Sequence, residues 1–216
     1  MPTTAMSSTK TPNKRFSSPL FLALLPWPAV AAGLFLFHSA LWAFLFYACV
    51  CLFGSWRLGG FVCSLKPKWP VKVHLGVALA SNILLVGLYQ LFGRWLLPAE
   101  LLNERLAGVG ITTASFIWLF PYFLIGNPLV EELFWRGCLR PRGPLYTALL
   151  FGAWHALPIF LIAPLWVAPL GVLGVMAVGF ALDKVVEKTQ TLGDAFVLHA
   201  LAADLPLLII VWLASR

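Results

Sequence analysis

Apolar residues gather along the chain into seven stretches, at about 18–37, 38–56, 71–92, 110–135, 144–164, 165–183 and 191–214, divided by short polar or basic breaks. Each approaches the roughly 20 residues an α-helix needs to cross a hydrocarbon layer. The pattern predicts an all-α, polytopic transmembrane helix bundle of about seven spans. The first two stretches are nearly continuous, so a turn near His38–Ser39 is inferred from length alone. Between the third and fourth, residues 94–106 (RWLLPAELLNERL) alternate apolar and charged positions. That segment is expected to lie as a short amphipathic helix on the membrane surface, with Trp95 at the interface there and Trp56 and Trp69 at the opposite one.

Composition supports the same reading. Of 216 residues, 61% are hydrophobic and 11% charged, with a mean hydropathy of +0.89. Soluble domains sit near about 45–50% apolar and about 25% charged, so this excess has no water-soluble core to hide in. The net charge of +7 is not a nucleic-acid footprint, because the basic residues are scattered through short breaks between spans. Lys10, Lys14, Arg15, Arg57, Lys66, Lys68, Lys72, Arg136, Arg140, Arg142, Lys184 and Lys188 fall on one side, twelve of the fifteen, leaving Arg94, Arg105 and Arg216 on the other. The excess of Lys and Arg in cytoplasmic loops then puts the amino terminus inside and the carboxyl terminus outside. Residues 1–17 are expected to form a disordered cytoplasmic tail, 18–109 the N-terminal spans with the amphipathic segment, and 110–216 a functional core. A basic stretch followed by an apolar run and Ala29-Val30-Ala31 loosely resembles a cleavable signal peptide. The apolar run continues well beyond it, so this stretch is expected to remain as the first span. Cys49, Cys51, Cys63 and Cys138 form no CxxC pair and no disulfide framework, and are expected to be small packing residues.

Ionisable residues inside a span cost about 2.5–3.5 kcal/mol each on insertion scales and point to function. The stretch 127–137 (NPLVEELFWRG) puts Glu131 and Glu132 near the inner end of the fourth span. Glu132 and Arg136 are one helical turn apart, in the order that favours an ion pair. Glu131 points about 100° away from Glu132 and is free for another partner. The fifth span carries His155 and the seventh carries His199. At about 1.5 Å per residue, Glu131 lies about 9 Å, His199 about 12 Å and His155 about 16 Å from the basic-side ends of their helices. Three helices therefore bring a carboxylate and two imidazoles to similar depth. His38 and His74 fall at span ends and are expected at the interface, while Asp183, Lys184, Glu187 and Lys188 read as a solvated cytoplasmic turn.

The series Glu131-Glu132-x-x-x-Arg136, Phe151-x-x-x-His155 and intramembrane His199 resembles the CAAX protease and bacteriocin-processing family of intramembrane endopeptidases. The motifs span about residues 127–206, the helical core of that family. The resemblance implies peptide-bond hydrolysis in a membrane cavity open to the cytoplasm. It gives Glu131 and His155 the activation of a water, His199 the oxyanion, and Glu132 and Arg136 the support of the site. The family often has Asn four positions after the last His, where this chain has Ala203. Asp204, five positions on, is a candidate to support the site, although an ideal helix turns it about 140° away from His199. The resemblance leaves two chemistries open. One is a metal-free glutamic protease with no cofactor. The other is a zinc enzyme using Glu131, His155 and His199, a donor set zinc accepts, although no HExxH is present.

The expected function is therefore an intramembrane endopeptidase acting near the cytoplasmic leaflet on a membrane-anchored protein or peptide. Its partners would be that substrate and the lipid bilayer, with no nucleic acid. In a bacterial host it would sit in the inner membrane. Two other readings compete. A non-catalytic immunity or scaffolding protein could keep the polar core for packing. A proton-relaying transporter is disfavoured, because the chain is short and shows no inverted repeat.

Overall fold

The computed structural model of the protein describes residues 19–59, 63–140 and 143–214. The tail 1–17, Arg142 and Arg216 lie outside the described residues. Seven helices are long and apolar enough to cross a membrane. They are α1 (Pro19–Leu36), α2 (Ala40–Leu58), α3 (Val71–Leu96), α5 (Thr113–Leu139), α6 (Pro144–Ile162), α7 (Ala168–Thr189) and α8 (Leu192–Ala214). A shorter helix, α4 (Ala99–Gly108), joins α3 to α5. Among the described residues there is no strand.

The turn between α1 and α2 falls where chain length required it. His38 has a left-handed φ of 47° and Ser39 is extended, so only three residues, 37–39, reverse the chain. Gly33 makes this tight hairpin possible, because a Cβ there would collide with the Ala43 backbone. Close approach at a small residue is a common way for helices to pack in lipid, where hydrophobic exclusion does not drive them together. On the other side of the bundle, Gly179 of α7 faces Phe151 and Ala148 of α6, with no room for a larger residue.

The two ends of the bundle are closed by different devices. At the end without basic loops, α4 packs onto the helix termini. Leu102 and Leu106 are buried, and Asn103 donates to the Ala214 carbonyl. Arg105 donates to the carbonyls of Ala163 and Leu161, at 2.8 and 3.4 Å. Both residues thereby satisfy carbonyls that a helix C-terminus leaves unpaired. The amphipathic segment expected at 94–106 is thus a cap on the bundle. Residues 94–96 belong to α3, and the break falls at Leu97–Pro98, because proline ends one helix and begins the next.

At the basic end, the irregular segment 63–70 forms a strap across the start of α8. Leu192 donates its N–H to the Ser64 carbonyl at 2.9 Å. The Thr191 hydroxyl contacts the carbonyls of Ser64 and Lys66, at 2.7 and 2.9 Å. The Asp194 carboxylate accepts from the backbone N–H groups of Lys68 and Trp69 and lies 3.0 Å from His74 Nε2. His74 therefore does not face the interface as expected. It is buried at 4% exposure, drawn inward because Asp194 is fully buried and needs donors. Gly193 lies beneath the strap, where a Cβ would collide with the backbone of residues 65–67. Gly193→Val should lift the strap while the spans persist. Limited trypsin digestion in detergent should then cut after Lys68 much faster than in the wild type.

Candidate active site

The polar residues of α5, α6 and α8 meet in one buried cluster. Glu131 and Glu132 are fully buried, Arg136 is 2% exposed and His199 is 3% exposed. Arg136 reaches back one turn to Glu132, with Nη1 to Oε1 at 3.1 Å. The guanidinium also donates from Nη2 to the Gly179 carbonyl at 3.1 Å and lies 4.3 Å from the centre of the Phe151 ring. Its Nε is 3.6 Å from Asp183 Oδ1. Asp183 thus departs from expectation. It is a fully buried partner of Arg136, while its neighbours Lys184 and Glu187 form an exposed pair at 2.8 Å. A buried guanidinium needs such partners, since an unpaired charge in low dielectric is far more costly than a paired one.

Glu132 passes this anchorage to His199, whose Nδ1 lies 2.8 Å from Glu132 Oε1. The other ring nitrogen of His199, Nε2, is 3.3 Å from Glu131 Oε2 and 3.5 Å from Asp204 Oδ1. The imidazole thus lies between carboxylates on both sides, hydrogen-bonded to Glu132 through Nδ1. His155 is set differently. Its Nδ1 lies 2.7 Å from the Phe151 carbonyl, which only accepts, so Nδ1 carries the hydrogen and Nε2 the lone pair. That Nε2 lies 4.0 Å from Glu131 Oε1. The separation is too long for a direct hydrogen bond and suits one bridging water. At 19% side-chain exposure, His155 is more open than Glu131 or His199.

Asp204 reaches His199 because the helix there is not α. Residues His199–Asp204 form a π turn, in which the residue five positions on returns toward the starting face. The cause lies in the sequence around it. Pro206 has no N–H for the Ala202 carbonyl, and the Leu205 N–H bonds to Ala200, leaving Leu201 without its helical donor as well. Two neighbouring residues of α3 fill both vacancies: Ser81 Oγ donates to Ala202, and Asn82 Nδ2 donates to Leu201 at 2.8 Å. Two more π segments, Tyr122–Gly126 and Glu132–Leu139, flank Glu131 in α5. Such turns occur often at functional sites.

Sequence reasoning passed over Tyr47 of α2. Its hydroxyl donates to Glu131 Oε1 at 2.6 Å and accepts from the Trp135 indole at 3.0 Å, while its ring stacks on Trp154 at 4.2 Å. The available signal was a tyrosine in the middle of an apolar span, whose hydroxyl must find a partner.

A cavity of about 250 Å³ opens beside His155. Asn127, His155 and Asp204 supply polar side chains at its floor, and the remaining lining is apolar or aromatic. The resemblance implied a cavity open at the basic end, but this one runs toward α4, past Leu106, Val109 and Ile111. On the basic side of the cluster, Phe134, Trp135 and Leu139 are fully buried and the strap lies beyond them. Among the described residues, no three His, Cys, Asp or Glu side chains are grouped to hold a metal ion. His199 turns Nδ1 to Glu132 and Nε2 to Glu131, while His155 turns Nε2 to the other oxygen of Glu131.

The model of the family described as "Type II CAAX prenyl endopeptidase Rce1-like" matches residues 113–203. Over those residues, less than half of its length, the chain is similar to that family. The matched segment contains Glu131, Glu132, Arg136, Phe151, His155 and His199, and ends one residue before Asp204. Tyr47, Ser81 and Asn82 come from outside it. With seven helices long and apolar enough to span and this likeness to a membrane protease family, the chain is an integral membrane protein. Neither a curated protein nor a solved structure matches it.

Tyr47→Phe should lower stability by about 1.5–3 kcal/mol, because it removes a hydrogen bond to a buried carboxylate. Thermal unfolding in detergent, where about 1 kcal/mol shifts Tm by about 2–4 °C at this chain length, measures it. Asn82→Leu should cost about 1–3 kcal/mol by stranding the Leu201 carbonyl, read in the same assay.

Proposed function

We propose that this protein is an intramembrane endopeptidase that hydrolyses a peptide bond of a membrane-anchored protein or peptide. Glu131 and His155 activate the water, and residues 110–216 form the catalytic core. The observation that carries this reading is the 4.0 Å gap between Glu131 Oε1 and His155 Nε2, next to a buried His199, with His155 itself lining a cavity. A water in that gap hands a proton to Glu131 or His155 as its oxygen bonds to the carbonyl carbon. The carbonyl oxygen becomes an oxyanion, and the Nε2 hydrogen of His199 stabilises it. Collapse breaks the C–N bond, and the departing amine takes the proton from the Glu131–His155 pair. Donors fixed against developing charge account for a large share of such catalysis.

The remaining residues serve by position. Tyr47 fixes one oxygen of Glu131, while Glu132, held by Arg136, orients His199. Asp204 takes up the place on the His199 face that Ala203 leaves without a polar group. The ion pair that holds Arg136 to Glu132 supports the metal-free, glutamic-type route over zinc held by Glu131, His155 and His199. The twelve basic residues on one side support a cytoplasmic amino terminus, which puts Glu131 in the cytoplasmic half of the bilayer, in a bacterial host the inner membrane.

Glu131→Ala and His155→Ala, each checked for insertion and folding, should reduce processing of membrane substrates in cells by about 10²–10⁴-fold. Unchanged processing in both variants would refute the protease reading and favour an immunity or scaffolding role. Processing should persist in the presence of a strong chelator. Loss with chelator and recovery on adding zinc would establish the metal-dependent route instead.

A further inference from the structure

Peptide-bond hydrolysis gains most from hydrogen-bond donors fixed where the carbonyl oxygen becomes an oxyanion. Around the Glu131–His155 gap most donors are already committed. The Nδ1 hydrogen of His155 goes to the Phe151 carbonyl, and the Tyr47 hydroxyl goes to Glu131. Arg136 faces Glu132, Asp183 and the Gly179 carbonyl. Asp204 lies 3.5 Å from His199 Nε2, but an ionised carboxylate only accepts. Ala203, one turn along α8 from His199, has no polar group to offer.

One side chain with hydrogens to give stands without a use. Asn127 is buried at 7% exposure, and its carboxamide makes no hydrogen bond to any described residue. Buried polar groups are nearly always paired, so an amide left over calls for a reason. Asn127 lines the same cavity as His155 and Asp204, so its amide has a space to work in. The indole nitrogen of Trp154 is unpartnered as well, but it is shut off from that space.

The backbone brings Asn127 to the right level. Residues Asn127–Glu131 form a regular α turn between two π segments, so Asn127 and Glu131, four apart, share a helix face. Because α5 runs toward the basic end and α8 away from it, Asn127 lies about 6 Å farther from that end than Glu131. Position 203 is displaced from His199 by the same amount in the same direction. The turn 127–131 packs against the π turn 199–204, which sets Asn127 across from Ala203 and Asp204.

We propose that Asn127 is a catalytic residue of this site, whose carboxamide donates to the carbonyl oxygen of the bond being cut. The amide from α5 and Nε2 of His199 from α8 then share the oxyanion as it forms. Asn127 gives up no proton and makes no covalent bond, so the sequence of hydrolytic steps is unchanged and only the charge on the oxygen is better met. This inference rests on the endopeptidase reading.

The test measures hydrolysis of membrane-anchored peptides by the full-length protein in liposomes, for the wild type, Asn127→Leu, Asn127→Asp and Glu131→Gln. Asn127→Leu keeps nearly the same volume and removes a polar group that has no partner, so Tm should hold or rise. Its kcat should fall about 10²–10³-fold with KM little changed, because the lost donor acts on the transition state. Asn127→Asp, which replaces the donor by an acceptor, should be at least as slow. Wild-type kcat in Asn127→Leu, a change in KM alone, or a fall in Tm that accompanies the loss of activity overturns the assignment. Cleavage abolished by Glu131→Gln but untouched by Asn127→Leu leaves the endopeptidase reading standing and removes Asn127 from it. No cleavage by the wild type defeats both.

Discussion

A guanidinium buried inside a membrane bundle has no water to fall back on, and the arrangement of this core follows from satisfying Arg136. Its nitrogens face Glu132, Asp183 and the Gly179 carbonyl, and Phe151 covers its face. Those contacts draw together α5, α6 and α7, and Glu132 then extends the chain of partners to His199 on α8. Glu131, next to Glu132 but turned to another face, is left pointing at Tyr47 and His155. The charge that anchors the bundle and the carboxylate offered for chemistry thus come from consecutive positions on one helix. Such a network is costly to half-satisfy, which explains why a single site holds so many of the few charged residues.

The second organising feature is irregular backbone. In an ideal α8, Asp204 faces away from His199. Pro206 removes one helical donor, the π turn diverts another, and Ser81 with Asn82 repairs both losses from α3. Unpaired carbonyls at this depth would be untenable in lipid, and they are tolerated because protein donors meet them. A helix distortion, a polar pair on a distant span and the orientation of one carboxylate are therefore a single physical unit.

Much of this was legible in the sequence, for definite reasons. Span positions follow from the length of apolar runs, and the His38–Ser39 turn could be located because no single helix needs so long a run. Glu131, Glu132, Arg136, His155 and His199 stood out because ionisable residues are rare in spans, and helix spacing gave the Glu132–Arg136 pair directly. Other features depend on contacts between distant segments and leave little local trace. Asp183 adjoins Lys184 and looks solvated until Arg136 of another helix is set against it. His74 sits at a span end like an interfacial residue, but Asp194, far along the chain, pulls it inward. Tyr47 lies outside the segment that matches the family, and its role depends on where Glu131 lands. The amphipathic stretch was recognised, but its docking onto the ends of α6 and α8 is a tertiary fact carried by Asn103 and Arg105.

The most direct measurement is made on purified protein in liposomes, incubated with a library of membrane-anchored peptides and analysed by mass spectrometry for new peptide termini. Wild-type protein should generate a defined set of new termini, and a folded Glu131→Gln variant should generate none of them. New termini that persist in Glu131→Gln, or their absence with the wild type across anchored and soluble peptides alike, would contradict a hydrolytic centre built on Glu131.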